Sequence, residues 1–324
     1  MKNFESFLAP QLNAYLDYRQ TLGYRIDITR HRLRIFDQYL KKSNADWNSL
    51  KPFFFLEMRA YLKNESRSIN RIISSVRVFF QFLLRREYVT ENPLQDIPPL
   101  KENTIIPYVF SPAQVEQLLL SAGKCTTKSK RYFLPSLGKY TALVLLARCG
   151  MRVSEPLGLM KQHYRKDDGT IYIEKTKFKK QRLIPVPKSA MIEIENYLSV
   201  RKTLLPNDQN PYLLAADDQQ PFTEQQIRFT FHRALKAAGL DQTRKVVGNL
   251  NVRQPTPHAL RHSFAVNSLI KIKDRGGSAQ HALPVLAAYM GHSEYKYTSV
   301  YLRVADAISR NRLVDFALWQ KRKE

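Results

Sequence analysis

The chain has 324 residues, enough for two domains of ordinary size. Its 52 Lys and Arg against 28 Asp and Glu give a net charge of +24, which points to a polyanionic partner. Two cysteines, Cys125 and Cys149, exclude a disulfide framework and show no metal-ligand spacing, so a reduced compartment is the simple reading. No signal peptide is visible, and the apolar runs fall far short of the roughly 20 residues that span a bilayer. The basic residues are spread along the chain, with most of the excess beyond residue 100, which favours a folded basic groove over a disordered arm.

Residues 1–90 read as a four-helix unit. Candidate helices lie near 4–22, 29–42 and 52–63, and Ile69, Ile72, Ile73, Val76, Phe79, Phe80, Leu83 and Leu84 form the apolar stripe of a fourth. Its opposite face carries Arg71 and Arg77, and the 29–42 helix exposes Arg30 and Arg34. These four arginines are candidate DNA contacts. Residues 91–108, with four prolines and little apolar periodicity, read as a linker. Ser111-Pro112 then starts a helix, Ser as N-cap and Pro in the first turn. An apolar helix spans 140–148. Strands at 170–174 and 182–186 flank a lysine-rich turn. Helices are expected at 188–203, 223–238, 257–272, 284–290, 294–302 and 305–319, with a loop over 271–284 marked by Gly276-Gly277.

The informative residues are an ordered set of cations, histidines and tyrosines. Phosphodiester cleavage without a metal needs fixed cations, a nucleophile and an acid. Arginine suits the first role, because its planar fork matches two phosphate oxygens and stays charged. Arg152 follows the apolar helix that ends at Cys149-Gly150, where a glycine allows a sharp turn into a cleft. Glu155, three residues on, could hold it in place. His258 and Arg261 are spaced i and i+3 on one helix face, in the first turn after a proline, where a helix N-terminus itself favours an anion. The turn EKTKFKKQR carries Lys175, Lys177, Lys179 and Lys180. Tyr289, Tyr295, Tyr297 and Tyr301 cluster near His292, and composition does not choose among them. A phenol with an ordinary pKa of about 10 needs a cationic pocket to attack near neutrality.

The segments RCGMRVSEPLGL, HALRHSFAV and LAAYMGHSEYKYTSVYLRV resemble the tyrosine recombinases, also called phage integrases, and the likeness is Xer-like. It covers 109–303 through specific motifs and 1–90 through architecture. The resemblance implies a mainly α fold with a small β-sheet, built as a C-shaped two-domain DNA clamp. Residues 1–90 would be a SAM-like core-binding domain, 91–108 the linker and 109–324 the catalytic domain. It implies that Arg152 and Arg261 clamp the phosphate and that His258 acts on the nucleophile's proton or on the phosphate. His292 would bond a phosphate oxygen, and Tyr301, nine residues beyond His292, would be the nucleophile. Glu155 and His262 would be supporting residues. Aligning Arg182-Leu183-Ile184-Pro185 with the family strand makes Lys177 the general acid, with Lys175 the runner-up and Lys175, Lys179 and Lys180 DNA contacts.

The implied activity is metal-independent, cofactor-free, site-specific cutting and rejoining of DNA through a 3′-phosphotyrosine, for a mobile element. The implied partners are a double-stranded recombination site and a homo-tetramer in which the tail 312–324 docks on a neighbour. An accessory recombinase or directionality factor could join them, and the setting would be the bacterial cytoplasm and nucleoid. Two other outcomes stay open on sequence: a type IB topoisomerase-like relaxing enzyme, and a DNA-binding accessory protein that kept the fold.

Overall fold

In the computed structural model the described residues are 3–174, 181–215, 220–247, 250–252, 254–292 and 296–309. The chain divides into two compact units between Asn103 and Thr104.

The first unit contains α1 (Ala9–Thr21), α2 (Asp27–Lys42), α3 (Pro52–Tyr61) and α4 (Ser66–Arg85). The apolar stripe of α4 is buried as its period requires, from Ile69 to Leu83, with Phe82 buried beside it. Phe36 of α2, Phe55 of α3 and Phe80 of α4 pack as aromatic neighbours at the centre. Asp37 is buried in α2, and its carboxylate accepts the backbone N–H groups of Glu5 and Ser6, both at 2.9 Å. These bonds fix the chain entering α1.

The segment expected to be a linker belongs largely to the two units. Leu94 and Ile97 are buried in the first core. Arg77 donates to the carbonyls of Leu94 at 2.8 Å and Ile97 at 2.6 Å, and Asn70 exchanges two bonds with the backbone of Leu100, both at 2.8 Å. Beyond the boundary, β1 (Thr104–Ile106) joins a sheet of the second unit. Short strands and proline spacers carry too little periodicity to reveal such packing.

In the second unit, α5 (Pro112–Lys124) opens with a capping box between Ser111 and Gln114. Next come α6 (Lys130–Arg148), the single-turn α7 (Ser154–Leu157), and the antiparallel sheet β2 (Tyr164–Arg165), β3 (Thr170–Ile173) and β4 (Arg182–Pro185). Ile173 pairs with Arg182, so the sequence from 174 to 181 joins β3 to β4. There follow α8 (Lys188–Leu204), α9 (Glu224–Ala237), β5 (Lys245–Val247) and β6 (Leu250–Val252). A second sheet has the order β1-β6-β5, a parallel and an antiparallel pair, whose three-residue strands are too short to show an alternating pattern. The chain continues with α10 (Pro257–Asp274), α11 (Ala279–Met290) and α12 (Lys296–Ser309). The apolar α6 is central and packs against α5, α8, α9 and α10; its Leu143, Val144 and Leu145 are fully buried.

Two expectations need correction. The loop expected over 271–284 is confined to 275–278, around Gly276-Gly277: α10 runs to Asp274, and α11 starts at Ala279, where the Ser278 side chain accepts the His281 N–H. Pro284 lies inside α11 rather than opening it. The expected break between 302 and 305 is also absent, because α12 is continuous and Val304 and Ala305 are buried against α10 and α11.

Candidate active site

Six pieces of the second unit build one cluster. The turn after α6 presents Arg152, α7 presents Glu155, β4 presents Arg182, and α10 presents His258, Arg261 and His262. The C-terminus of α11 supplies backbone carbonyls and His292, and α12 supplies Tyr301.

The turn after α6 depends on glycine. Gly150 has φ +57°, and a Cβ there would lie 2.4 Å from Cδ1 of Phe264. Its carbonyl accepts from Nη1 of Arg261 at 2.7 Å. The chain then places Arg152 over Glu155, which takes its backbone N–H at 2.8 Å and its guanidinium at 2.9 Å.

Glu155 is the hub of the cluster, with a side chain only 2 % exposed. Besides Arg152 it receives both terminal nitrogens of Arg182, at 3.0 and 2.8 Å, and Nη1 of Arg261 stands 4.0 Å away. Burial alone would raise its carboxyl. The hydrogen bonds and charge of Arg182, the Arg152 N–H and the charge of Arg261 outweigh that and hold it below the usual range.

The same three arginines close the end of α11. The last carbonyls of a helix lack intrahelical partners and carry the negative end of its dipole. Arg182 donates to the carbonyl of Tyr289 at 2.8 Å, Arg261 to that of Met290, and Arg152 to that of Gly291 at 2.9 Å. Gly291, at φ +63°, ends the helix in a left-handed turn, and a Cβ there would lie 3.0 Å from Nη1 of Arg182. One carboxylate and one helix end therefore balance three guanidinium groups. Each guanidinium has five N–H donors, so Arg152, with two bonds to Glu155 and Gly291, retains donors for an anion.

Arg261 is 1 % exposed. Burial, then the charge of Arg152, push its pKa down to about 10 against the pull of Glu155, so it stays cationic at neutral pH. Its Nη2 lies 3.3 Å from Nε2 of His292, and His292 Nδ1 lies 2.8 Å from Oγ1 of Thr298. An arginine only donates, so Nε2 accepts and the His292 proton sits on Nδ1. Burial, then Arg261 and Arg152, push His292 down to about 4, so it is neutral at pH 7.

Tyr301 is 5 % exposed, with its hydroxyl 3.0 Å from Nδ1 of His262. Burial raises its pKa, while the charges of Arg261 and Arg152 pull it down. The ring of His292 stacks at 6.1 Å from that of Tyr301, and the exposed His258 meets the His262 ring edge-on at 4.5 Å. His262 is thus in hydrogen-bond contact with the phenol. Tyr289, a rival by composition, donates to the Cys149 carbonyl at 3.2 Å and stacks on Phe264. Burial raises its pKa far above the ordinary phenol value.

The structure thus brings together Arg152, Glu155, His258, Arg261, His262, His292 and Tyr301. Lys175, Lys177, Lys179 and Lys180 lie outside the described residues. In the first unit Arg71 is exposed and Arg30 and Arg34 are half-buried, whereas Arg77 is committed to the carbonyls of the 94–97 segment. Arg182, which the sequence marks only as the start of an R-x-x-P strand, joins the same cluster through Glu155. The bond from His262 to Tyr301 had no local signal, because 39 residues separate the partners.

The buried Arg261, the half-buried Arg152, three histidines and the Tyr301 phenol form a cationic cluster that could hold an anion such as a phosphate beside a phenol. The family model for the phage integrase family matches residues 109–307, and that for its N-terminal SAM-like domain matches residues 29–87. The chain belongs to the phage integrase family. Tyrosine recombinase XerD of Shewanella oneidensis is 28 % identical over 314 residues, covering 92 % of this chain and 93 % of that protein. The fold is shared with a lambda integrase dimer bound to a core site, at a TM-score of 0.65 and 18 % identity, over 92 % of this chain and 77 % of that one. A lambda integrase tetramer bound to a Holliday junction aligns at a TM-score of 0.64 and 17 % identity, over 89 % of this chain and 77 % of that one.

Proposed function

We propose that this chain is a site-specific DNA recombinase that cuts and rejoins strands through a covalent link between Tyr301 and a DNA 3′-phosphate. The observation that carries the residue assignments is the convergence of Arg152, Arg261 and His292 on the space beside the Tyr301 hydroxyl.

Arg152 and Arg261 take the two non-bridging phosphate oxygens. Both are held from behind by Glu155 and the α11 carbonyls, so their donors are aimed before DNA arrives and little reorganisation is needed at the transition state. His292 adds a bond to the same phosphate, and this requires its proton to move to Nε2 or a second proton to be taken up as the anion enters. His258, exposed at the start of α10, contacts the phosphate from the helix N-terminus. Tyr301 attacks phosphorus, and the 5′-oxygen leaves with a proton from Lys177. The free 5′-hydroxyl of a partner strand then attacks the phosphotyrosine, so bond energy is conserved without a nucleotide cofactor.

Four such chains acting on two duplexes would complete an exchange, and the lambda integrase tetramer on a Holliday junction supports that stoichiometry. Both units would bind one duplex, the first through Arg30, Arg34 and Arg71. An accessory recombinase and a place in the nucleoid fit this reading. Among the described residues no helix is long and apolar enough to cross a membrane.

The test is covalent trapping. Nicked suicide duplexes from DNA flanking the gene are incubated with protein in EDTA and resolved on a denaturing gel. The wild type should form an adduct and Tyr301→Phe should not, while both bind the duplex equally. An adduct that persists in Tyr301→Phe would place the nucleophile on another tyrosine.

A further inference from the structure

We propose that His262 is a catalytic residue that takes the proton from Tyr301 as the phenol attacks; this rests on the recombinase reading above.

The assignment starts from contact. Among the described residues, His262 Nδ1 stands 3.0 Å from the Tyr301 hydroxyl, inside the reach a general base requires. His258 meets the His262 ring edge-on, 4.5 Å from its own, one step further from the phenol. His292 is poorly suited, since its Nε2 faces Arg261 and its Nδ1 is engaged by Thr298. Arg152 and Arg261 lower the energy of a tyrosinate but have no lone pair to receive a proton.

In the step, the Tyr301 O–H bond breaks and its proton passes to Nδ1 of a neutral His262. The phenolate oxygen bonds to phosphorus, and the bond from phosphorus to the 5′-oxygen breaks. That oxygen takes a proton from the general acid. The new positive charge on His262 adjoins Arg261, and the phosphate, held at the same place, offsets it. The exposed His258 ring beside His262 offers the way out to solvent. In the rejoining step the proton returns to the leaving tyrosinate along the same bond.

Among the described residues, His258 of α10 and Tyr301 of α12 contact His262, and the charges of Arg261 and Arg152 and the ring of His292 act on the same phenol. The pH profile must therefore be read against a variant rather than alone. His262→Asn keeps a polar group near the Nδ1 position but cannot accept a proton at neutral pH. We expect it to bind DNA as the wild type does and to cleave about 100-fold more slowly, within the range typical of a lost general base. Its rate should keep rising with pH where that of the wild type levels off. Cleavage at the wild-type rate would overturn the assignment. Faster cleavage would also overturn it, by showing that the bond restrains the tyrosine.

Should His262→Asn fail to fold, the wild type itself decides. Nitrogen-15 NMR of labelled histidine should find neutral His262 protonated on Nε2, leaving Nδ1 as acceptor. A proton on Nδ1 would mean that His262 donates to Tyr301, and the proposal would be wrong. A wild type that forms no adduct on any flanking duplex would instead remove the recombinase reading, while the tautomer would still report on the bond.

Discussion

Glu155 shows what one buried carboxylate does here. It faces Arg152 and Arg182 directly and Arg261 at 4.0 Å, with all four side chains largely withdrawn from water. Breaking a buried ion pair by removing one partner typically costs 3–5 kcal/mol. Glu155→Gln should therefore destabilise the second unit by about 3 kcal/mol or more in urea unfolding. DNA should restore part of this, because a phosphate supplies the missing negative charge. The thermal shift on adding duplex should then be larger for Glu155→Gln than for the wild type.

His292 gives a pH dependence of definite sign. Its pKa falls from 6.5 to about 4 on folding, so between those values the unfolded chain binds more protons. Stability is unaffected above pH 6.5, declines as pH falls through that window, and is reduced in full below about 4. His292→Gln should flatten the fall in melting temperature between pH 6.5 and 4, and an unchanged slope would show that another group is responsible.

At the scale of elements, the site is held by the way α11 ends. Its last three carbonyls meet arginines from three different segments, so the end of one helix fixes the turn after α6, strand β4 and helix α10 together. Gly291→Ala would place a Cβ in a left-handed turn against Arg182 and should cost about 1–2 kcal/mol on conformational grounds. It should lower adduct formation more than DNA affinity, since the arginines would be displaced without being lost. Gly150→Ala should be more damaging to folding, because its Cβ would run into the Phe264 ring. Guanidinium unfolding of the two variants checks the order.

On the scale of the whole molecule, a charge of +24 is not a count of DNA contacts. Arg77 clasps the 94–97 segment, and the buried Arg201 bonds the carbonyls of Asn210, Tyr212 and Leu213. Arg71→Ala should weaken binding and reduce the log–log salt slope by about 1 if it meets a phosphate. Arg77→Ala should instead lower the melting temperature of the first unit and leave the slope alone. The tail 312–324 lies outside the described residues. Deleting it should abolish synapsis and spare single-site binding, and undiminished recombination would exclude docking on a neighbour.

Local pattern suffices for the helical stripes, the capped start of α5 and the order of the candidate site residues, because these depend on periods and spacings a few residues long. The apolar face of α4 and the i, i+3 pairing of His258 with Arg261 needed no distant partner to be read. Tertiary structure alone decided what those residues touch. Arg182 meets Glu155 across 27 positions and the α11 carbonyls across 107, and His262 finds Tyr301 across 39. It also turned a proline-rich spacer into part of two domains and drew a helix through Pro284, leaving Gly276-Gly277 in the short turn between α10 and α11. The reason is physical: a guanidinium or a buried phenol takes whichever partner the packed core brings within 3 Å, and no local pattern encodes that choice.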